Sequence, residues 1–165
     1  MTRRQLLNLL SSIGLAPAIA PLAHAADSAP ANAAVGRLVL SDEEWRKRLS
    51  PAQFEVLRKH GTERAGASPL NAEKRAGSYH CAGCDLALFS ADTKYDSGTG
   101  WPSFHTALPG RIGTSRDFKL ILPRTEYHCV RCEGHQGHVF DDGPRPSGKR
   151  YCNNGVALRF APSAA

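Results

Sequence analysis

Four of the five cysteines in this 165-residue chain form two Cys-x-x-Cys pairs, Cys81/Cys84 and Cys129/Cys132, with 44 residues between Cys84 and Cys129. The surroundings match: Tyr79-His80-Cys81-Ala82-Gly83-Cys84 and Tyr127-His128-Cys129-Val130-Arg131-Cys132. Two such turns facing each other place four sulfurs at about 2.3 Å from one ion in a tetrahedron, the arrangement zinc takes in closed structural sites. A site of that kind ties two distant segments into one small core, so metal binding contributes to folding. Three other readings compete. Disulfides suit an exported protein, but a bond across a two-residue spacer closes a very small loop. A redox Cys-x-x-Cys needs a βαβ context, which the pattern lacks. A local set of Cys129, Cys132, His135 and His138 would crowd its ligands and orphan Cys81 and Cys84. The four-cysteine zinc site is the expectation carried forward.

The chain opens Met1-Thr2-Arg3-Arg4-Gln5-Leu6-Leu7 and continues with an apolar stretch to Ala20 and then Ala23-His24-Ala25. A charged start, an apolar middle and an Ala-x-Ala end make an export signal over residues 1–25. The adjacent arginines resemble a twin-arginine signal, which implies a periplasmic or otherwise exported protein. Residues 26–36 are mostly small and read as a flexible linker, leaving residues 37–165 as one domain. No apolar run reaches the ~18–20 residues that span a bilayer. The net charge of +6 falls to +4 once Arg3 and Arg4 are removed, and further if four thiolates hold a divalent ion. That is too little to argue for nucleic acid.

Within the domain, Ser41-Asp42-Glu43-Glu44 is a capping-box start for a helix over Trp45–Leu49. Ser50-Pro51-Ala52-Gln53 repeats the device with proline in the first turn, and a second helix runs to His60 with Gly61 as its stop. From Tyr79 onward Gly, Pro and Asp interrupt short apolar runs at Leu86–Phe89, Phe118–Leu122, His138–Phe140 and Val156–Phe160. The expected fold is mainly β: a small antiparallel sheet or barrel-like domain with two or more short N-terminal helices, stapled by the zinc site.

The fifth cysteine stands in Arg150-Tyr151-Cys152-Asn153-Asn154. Strand alternation puts Arg150, Cys152 and Asn154 on one face and Tyr151 and Asn153 on the other. Val156, Leu158 and Phe160 share the first parity, which turns Cys152 inward unless Gly155 forms a bulge. A guanidinium two residues away favours the reactive thiolate, while a free cysteine is also commonly a small buried hydrophobe. Gly134-His135-Gln136-Gly137-His138 holds two imidazoles that can exchange a proton near neutral pH, with Asp142 four residues further on. Gly98-Thr99-Gly100-Trp101-Pro102 presents an indole that serves either as core or as a binding wall. Arg111, Arg116 and Arg124 read as a solvated basic face.

These segments resemble the B-type peptide-methionine (R)-S-oxide reductases. The matching pieces are Gly61-Thr62-Glu63-Arg64, the two Cys-x-x-Cys pairs, Lys94 to Phe104, Arg124-Thr125-Glu126, Gly137-His138-Val139-Phe140-x-Asp142-Gly143-Pro144 and Gly148-x-Arg150-Tyr151-Cys152-x-Asn154. They run from about Ser41 to Phe160 in one order. The resemblance implies reduction of the R epimer of protein-bound methionine sulfoxide in a zinc-stapled β fold whose active site lies away from the metal. By position it makes Cys152 the nucleophile on the sulfoxide sulfur, with His135 and His138 binding the oxygen and supplying its proton. It makes Asp142 the group that orients them, Arg150 and Asn154 the groups that tune and hold the thiolate, and Trp101 the wall against the substrate methyl group. It names Cys81, Cys84, Cys129 and Cys132 as ligands of one zinc ion. The resemblance puts Thr99 where many members carry a resolving cysteine, which implies a one-cysteine cycle: Cys152 sulfenic acid forms and an external thiol reduces it. Asn153 replaces an apolar residue, which implies looser packing behind the nucleophile, and Ala65-Gly66 replaces Pro-Phe. The rival function is a zinc-ribbon binding module without catalysis.

Overall fold

A computed structural model describes residues 35–120 and 122–164 of the chain. The signal expected over residues 1–25 and the linker up to residue 34 lie outside the described residues.

Among the described residues, two short helices come first, α1 (Asp42–Arg48) and α2 (Pro51–Lys59). Both start with a reciprocal capping box: Ser41 with Glu44, and Ser50 with Gln53, so each satisfies otherwise orphaned N-terminal amides. The stop of α2 differs from the expectation. His60, not Gly61, takes the left-handed conformation, at φ 55° and ψ 38°, an uncommon position for a side chain with a Cβ. Trp45, Leu49, Phe54, Val56 and Leu57 are buried and turn one apolar stripe of the helix pair onto the sheets.

Nine strands follow among the described residues: β1 (Gly77–Cys81), β2 (Ala87–Ser90), β3 (Lys94–Tyr95), β4 (Ser103–Phe104), β5 (Ile112–Asp117), β6 (Arg124–Cys129), β7 (His135–Phe140), β8 (Arg150–Asn153) and β9 (Leu158–Pro162). They build a three-stranded sheet in the order β2-β1-β9 and a six-stranded sheet in the order β3-β4-β8-β7-β6-β5, and every pairing is antiparallel. Aromatic rings join the sheets. Phe89 of β2 stacks on Phe104 of β4 at 4.2 Å, and Tyr79 of β1 meets the same ring edge-on at 4.9 Å. Tyr127 and Tyr151 extend the cluster at 90° to each other. Such rings contribute beyond their buried area when offset or edge-to-face. Among the described residues no helix is long and apolar enough to cross a membrane.

One expected strand does not form. Phe118, Leu120 and Leu122 lie beyond the end of β5, and all three are mostly exposed. Their apolarity marks a surface segment, because β5 stops at Asp117, whose side chain turns back to bind groups on β6 and β7. The parity count across Gly155 also fails. A 3₁₀ turn over Gly155–Ala157 separates β8 from β9, so Val156 and Phe160 do not report which way Cys152 points.

Candidate active site and metal centre

The two cysteine pairs close matching knuckles at the ends of β1 and β6. In each, the first cysteine's N–H bonds a carbonyl five residues on, Cys81 to Leu86 and Cys129 to Gly134. The residue after the second cysteine, Asp85 or Glu133, adopts a positive φ and bonds the first cysteine's carbonyl. Because β1 and β6 belong to different sheets, the knuckles meet across the fold. All four thiols are free, and their sulfurs lie within 4.8 Å of one another, with Cys81–Cys132 at 3.6 Å and Cys84–Cys129 at 3.4 Å. A tetrahedral ion with ~2.3 Å bonds needs sulfurs about 3.8 Å apart, so this donor set can hold a metal ion. Gln136 donates to the Cys81 sulfur at 3.3 Å, and Arg58 donates to the Cys132 carbonyl at 2.7 Å, so the cluster has outer support. Disulfides and the local Cys/His set are not formed here. His135 and His138 instead sit on β7, bound to carboxylates.

Cys152 occupies the centre of the larger sheet. Its Cα partners are Ser103 on β4 and His138 on β7. The alternation along β8 holds, with its sense reversed. Tyr151 and Asn153 face the aromatic core, where Tyr127 donates to Asn153 Oδ1 at 2.6 Å, while Arg150 and Cys152 border a cavity of about 180 Å³. Trp101, Thr99, His138, Phe140 and Asn154 border the same space. A water molecule takes about 30 Å³, so a methyl sulfoxide group fits. β8 approaches β7 closely at Gly137, where a Cβ would come 1.9 Å from the Cys152 carbonyl oxygen; only glycine permits that spacing.

Several side chains around the cavity have identifiable anchors. Trp101 Nε1 donates to the Glu63 carbonyl at 3.1 Å, which fixes the indole as a wall. Asn154 accepts from the Glu63 N–H at 3.0 Å and donates to the Gln136 carbonyl at 2.9 Å, so its amide braces the backbone behind the thiol. Glu63 in turn accepts from the N–H groups of Gly155 and Val156. Buried Asn153 is fully engaged through Tyr127 and the Asn154 carbonyl, which overturns the expectation of looser packing.

The carboxylates differ from the expectation. Asp142 makes a bidentate pair with Arg150, 2.8 Å at both nitrogens, and does not orient the imidazoles. His138 Nε2 meets Asp117 Oδ2 at 2.7 Å, and His135 Nδ1 meets Glu126 Oε1 at 2.8 Å. Asp117 also pairs with Arg124 at 2.6 Å, which moves Arg124 from a solvated face to the cavity rim, whereas Arg116 stays exposed. Asp117 and Glu126 are the site residues that sequence reasoning missed. A signal existed for Glu126, which is Cα partner to His138 on β6 and falls in the matched Arg-Thr-Glu segment. His135 is buried beside His138, at 5.4 Å between ring centroids, and stacks on His60 at 4.9 Å. It does not border the Cys152 cavity. His60, Glu126 and His135 also bring donor atoms within 4.8 Å, but His135, Ser115 and His128 already bind both Glu126 oxygens.

Burial pushes the Cys152 thiol above its ordinary value, against the pull of the Arg150 charge and of hydrogen bonds from Thr99 and Arg150. Arg150 does favour the thiolate, as expected, but desolvation outweighs it. Burial also lowers His138, with Asp117 pulling the other way, so the resting imidazole is neutral at neutral pH. Its Nε2–H donates to the Asp117 carboxylate, which is acceptor-only, and Nδ1 is the titrating nitrogen.

A family model described as the SelR domain matches residues 49–162. The chain belongs to the SelR family. The rice protein named peptide methionine sulfoxide reductase B1, chloroplastic, is 50% identical over 122 residues, covering 73% of this chain and 57% of that protein. Its Arabidopsis thaliana namesake is likewise 50% identical over 122 residues, covering 73% of this chain and 60% of the relative. The Pseudomonas putida (strain W619) protein named peptide methionine sulfoxide reductase MsrB is 51% identical over 121 residues, covering 73% of this chain and 91% of the relative. The chain thus spans about three fifths of the plant proteins' length and pairs with most of the bacterial one. The SelR match takes in both cysteine knuckles, Trp101, both imidazoles and Cys152.

Proposed function

We propose that this chain reduces the R epimer of methionine sulfoxide in proteins to methionine, with Cys152 as nucleophile and an external thiol as reductant. The observation that carries the proposal is one small cavity bordered at once by Cys152, His138 and the Trp101 indole, in a chain of the SelR family. Relatives named as methionine sulfoxide reductases support the same reading. A binding module has no use for a free thiol opposite an imidazole held by a carboxylate.

The chemistry follows from the placement. A thiolate attacks a sulfoxide poorly until the departing oxygen gains a proton. Trp101 packs against the substrate methyl group, and His138, protonated at Nδ1, gives its proton to the sulfoxide oxygen while Asp117 stabilises the imidazolium. Cys152 attacks the sulfoxide sulfur and forms an S–S bond, and with a second proton from solvent the oxygen leaves as water. A water then attacks the Cys152 sulfur, the S–S bond breaks with its electron pair going to the substrate sulfur, a proton is released, and methionine departs leaving Cys152 as the sulfenic acid. Arg150, kept in place by Asp142, stabilises the thiolate. Asn154 holds the strand, and His135, bound to Glu126, backs His138 from behind. With the other four cysteines in the metal cluster, no internal thiol resolves the sulfenic acid, and Thr99 occupies the alternative position.

The four-thiolate donor set suits zinc, which when bound would offset half of the four thiolates' charge and cross-link the two sheets. Residues 1–25 direct export through a twin-arginine-like route, placing the enzyme in the periplasm or beyond, with the mature chain starting at Ala26.

Turnover of dabsyl-methionine sulfoxide with dithiothreitol, run on each epimer, tests the function. Reduction of the R form alone is expected; turnover of the S form alone overturns the assignment. After one equivalent of substrate without reductant, Cys152 should gain the mass of one oxygen, whereas a disulfide at Cys152 would exclude the one-cysteine cycle. N-terminal sequencing of the exported protein should begin at Ala26; an intact Met1 there refutes cleavage.

A further inference from the structure

Thr62 borders three cavities at once, and the proposed chemistry uses only the one at Cys152. A second, of about 480 Å³, shares His138 and Arg124 with the Cys152 cavity. A third, of about 640 Å³, lies along α2 and begins at Gly155, next in the chain to Asn154 of the Cys152 cavity. The three make one cleft with the thiol in its middle part.

The two flanks differ in charge. In the second cavity Asp117 is taken up by Arg124 and His138, and Glu126 by Ser115, His128 and His135. Neither carboxylate is left for Arg116 and Lys119, which border the same space and are exposed. Among the described residues neither cation has a carboxylate partner. Lys119 Nζ instead reaches the His60 carbonyl at 3.3 Å, on the cavity wall. Exposed Phe118 and Leu120 stand beside these cations. The third cavity is the reverse: Val56, Leu70, Val156 and Leu158 border it, and its charged groups are Glu55 and Glu63. Glu63 is occupied by the N–H groups of Gly155 and Val156, while Glu55 is exposed and disfavours a second anion.

We propose that this cleft binds the polypeptide around the oxidised methionine in extended form, with an acidic side chain against Arg116 and Lys119 and an apolar one against Val56, Leu70 and Val156. Side chains two positions apart on an extended chain share a face, about 6.6 Å from each other. With the sulfoxide at Cys152, the residues two before and two after it therefore enter the flanking cavities. Phe118 and Leu120 pack on the methylene groups of the acidic side chain, and the two cations meet its carboxylate. Arg116 and Lys119 are specificity-determining residues, not catalytic ones.

The inference deepens the proposed function and rests on it in seating the sulfoxide at Cys152. Its test reads binding, not turnover. The metal-loaded full chain carrying Cys152→Ser is titrated by calorimetry with end-blocked peptides containing the R sulfoxide, Leu-Gly-Met(O)-Gly-Glu and its reverse order, each also made with Lys in place of Glu. In one order the Glu peptide should bind roughly tenfold tighter than the Lys peptide, since each exposed ion pair is worth up to about fivefold. In the other order the gap should be under about threefold. At about 1 M salt the large gap should close to under twofold, and Arg116→Glu with Lys119→Glu should reverse the ranking. A Glu preference of equal size in both orders reports only the chain's overall positive charge and overturns the inference. So do equal affinities for Glu and Lys, no binding of any peptide, or a ranking that survives the charge reversal. Reduction of dabsyl-methionine sulfoxide with no Glu preference keeps the reductase and removes the cleft; the expected ranking without that reduction does the opposite.

Discussion

The cysteine knuckles and the Cys152 strand use one element for opposite ends. In the knuckles four sulfurs crowd within 4.8 Å, Cys81 and Cys129 at strand ends and Cys84 and Cys132 in the turns that follow, and together they join two sheets. On β8 a single sulfur sits mid-sheet, half-exposed, with its Cα partners supplying a hydroxyl and an imidazole in place of other thiols. The difference teaches that the partners, more than burial, decide the role of a cysteine. Crowded thiols find a stable state as shared ligands, and an isolated one keeps its nucleophilicity.

The largest expected effect would break this division if it failed. Cys152→Ser should abolish turnover, by on the order of 10³-fold or more, with metal content by atomic emission unchanged. Cys84→Ser or Cys129→Ser should lose the metal and lower the unfolding midpoint steeply, since structural zinc binding is folding free energy. Equal metal loss in the Cys152 variant would contradict the separation of the two sulfur sites.

The carboxylates sharpen the catalytic side. Asp117→Asn should lower kcat/KM by about 10²-fold by leaving the imidazolium without its counter-ion, while Asp142→Asn, acting only through Arg150, should cost a fewfold. The reverse ranking would restore Asp142 as the group that orients the imidazoles. A pH series measures the same pair of groups. With the thiol raised and His138 lowered, kcat/KM should be bell-shaped, its acid limb below pH 6.5 and its alkaline limb above pH 9, and the productive thiolate–imidazolium form should be a minor species throughout. A profile that plateaus above pH 9 would remove His138 as the acid.

The smallest effect concerns stability. For Glu126, burial raises the carboxyl, but hydrogen bonds from His128, His135 and Ser115 outweigh it and hold the group well below the usual range. The Lys119 N–H, His138 and Arg124 do the same for Asp117. Both groups therefore add stability above their unfolded values near pH 4, and that contribution is lost as pH falls through and below them. Urea midpoints measured between pH 7 and pH 3 should decline, and Glu126→Gln should flatten the decline.

Much of this was legible in the chain itself. Serine three residues ahead of Glu44 or Gln53 marked both helices because capping is a local interaction. The knuckles were legible because metal-ligand spacing is local too. Asp117 was hidden because its partners, Arg124 and His138, are brought to it only by the pairing of β5, β6 and β7. Asp142 was misassigned because its nearness in sequence to His138 counts for less than the β7–β8 pairing that seats Arg150 opposite Phe140, beside it. Phe118 to Leu122 looked like a strand because apolarity marks burial only on average.

Gly137 leaves the working strand little freedom to drift. A methyl group there would collide with the Cys152 main chain, so no replacement is neutral, and each would force the two central ladders apart, carrying the thiol away from the imidazole. New substrate preferences must therefore arise from the rim, at Thr62, Thr99 or Phe140, where a changed side chain alters what enters without disturbing the alignment of sulfur and acid.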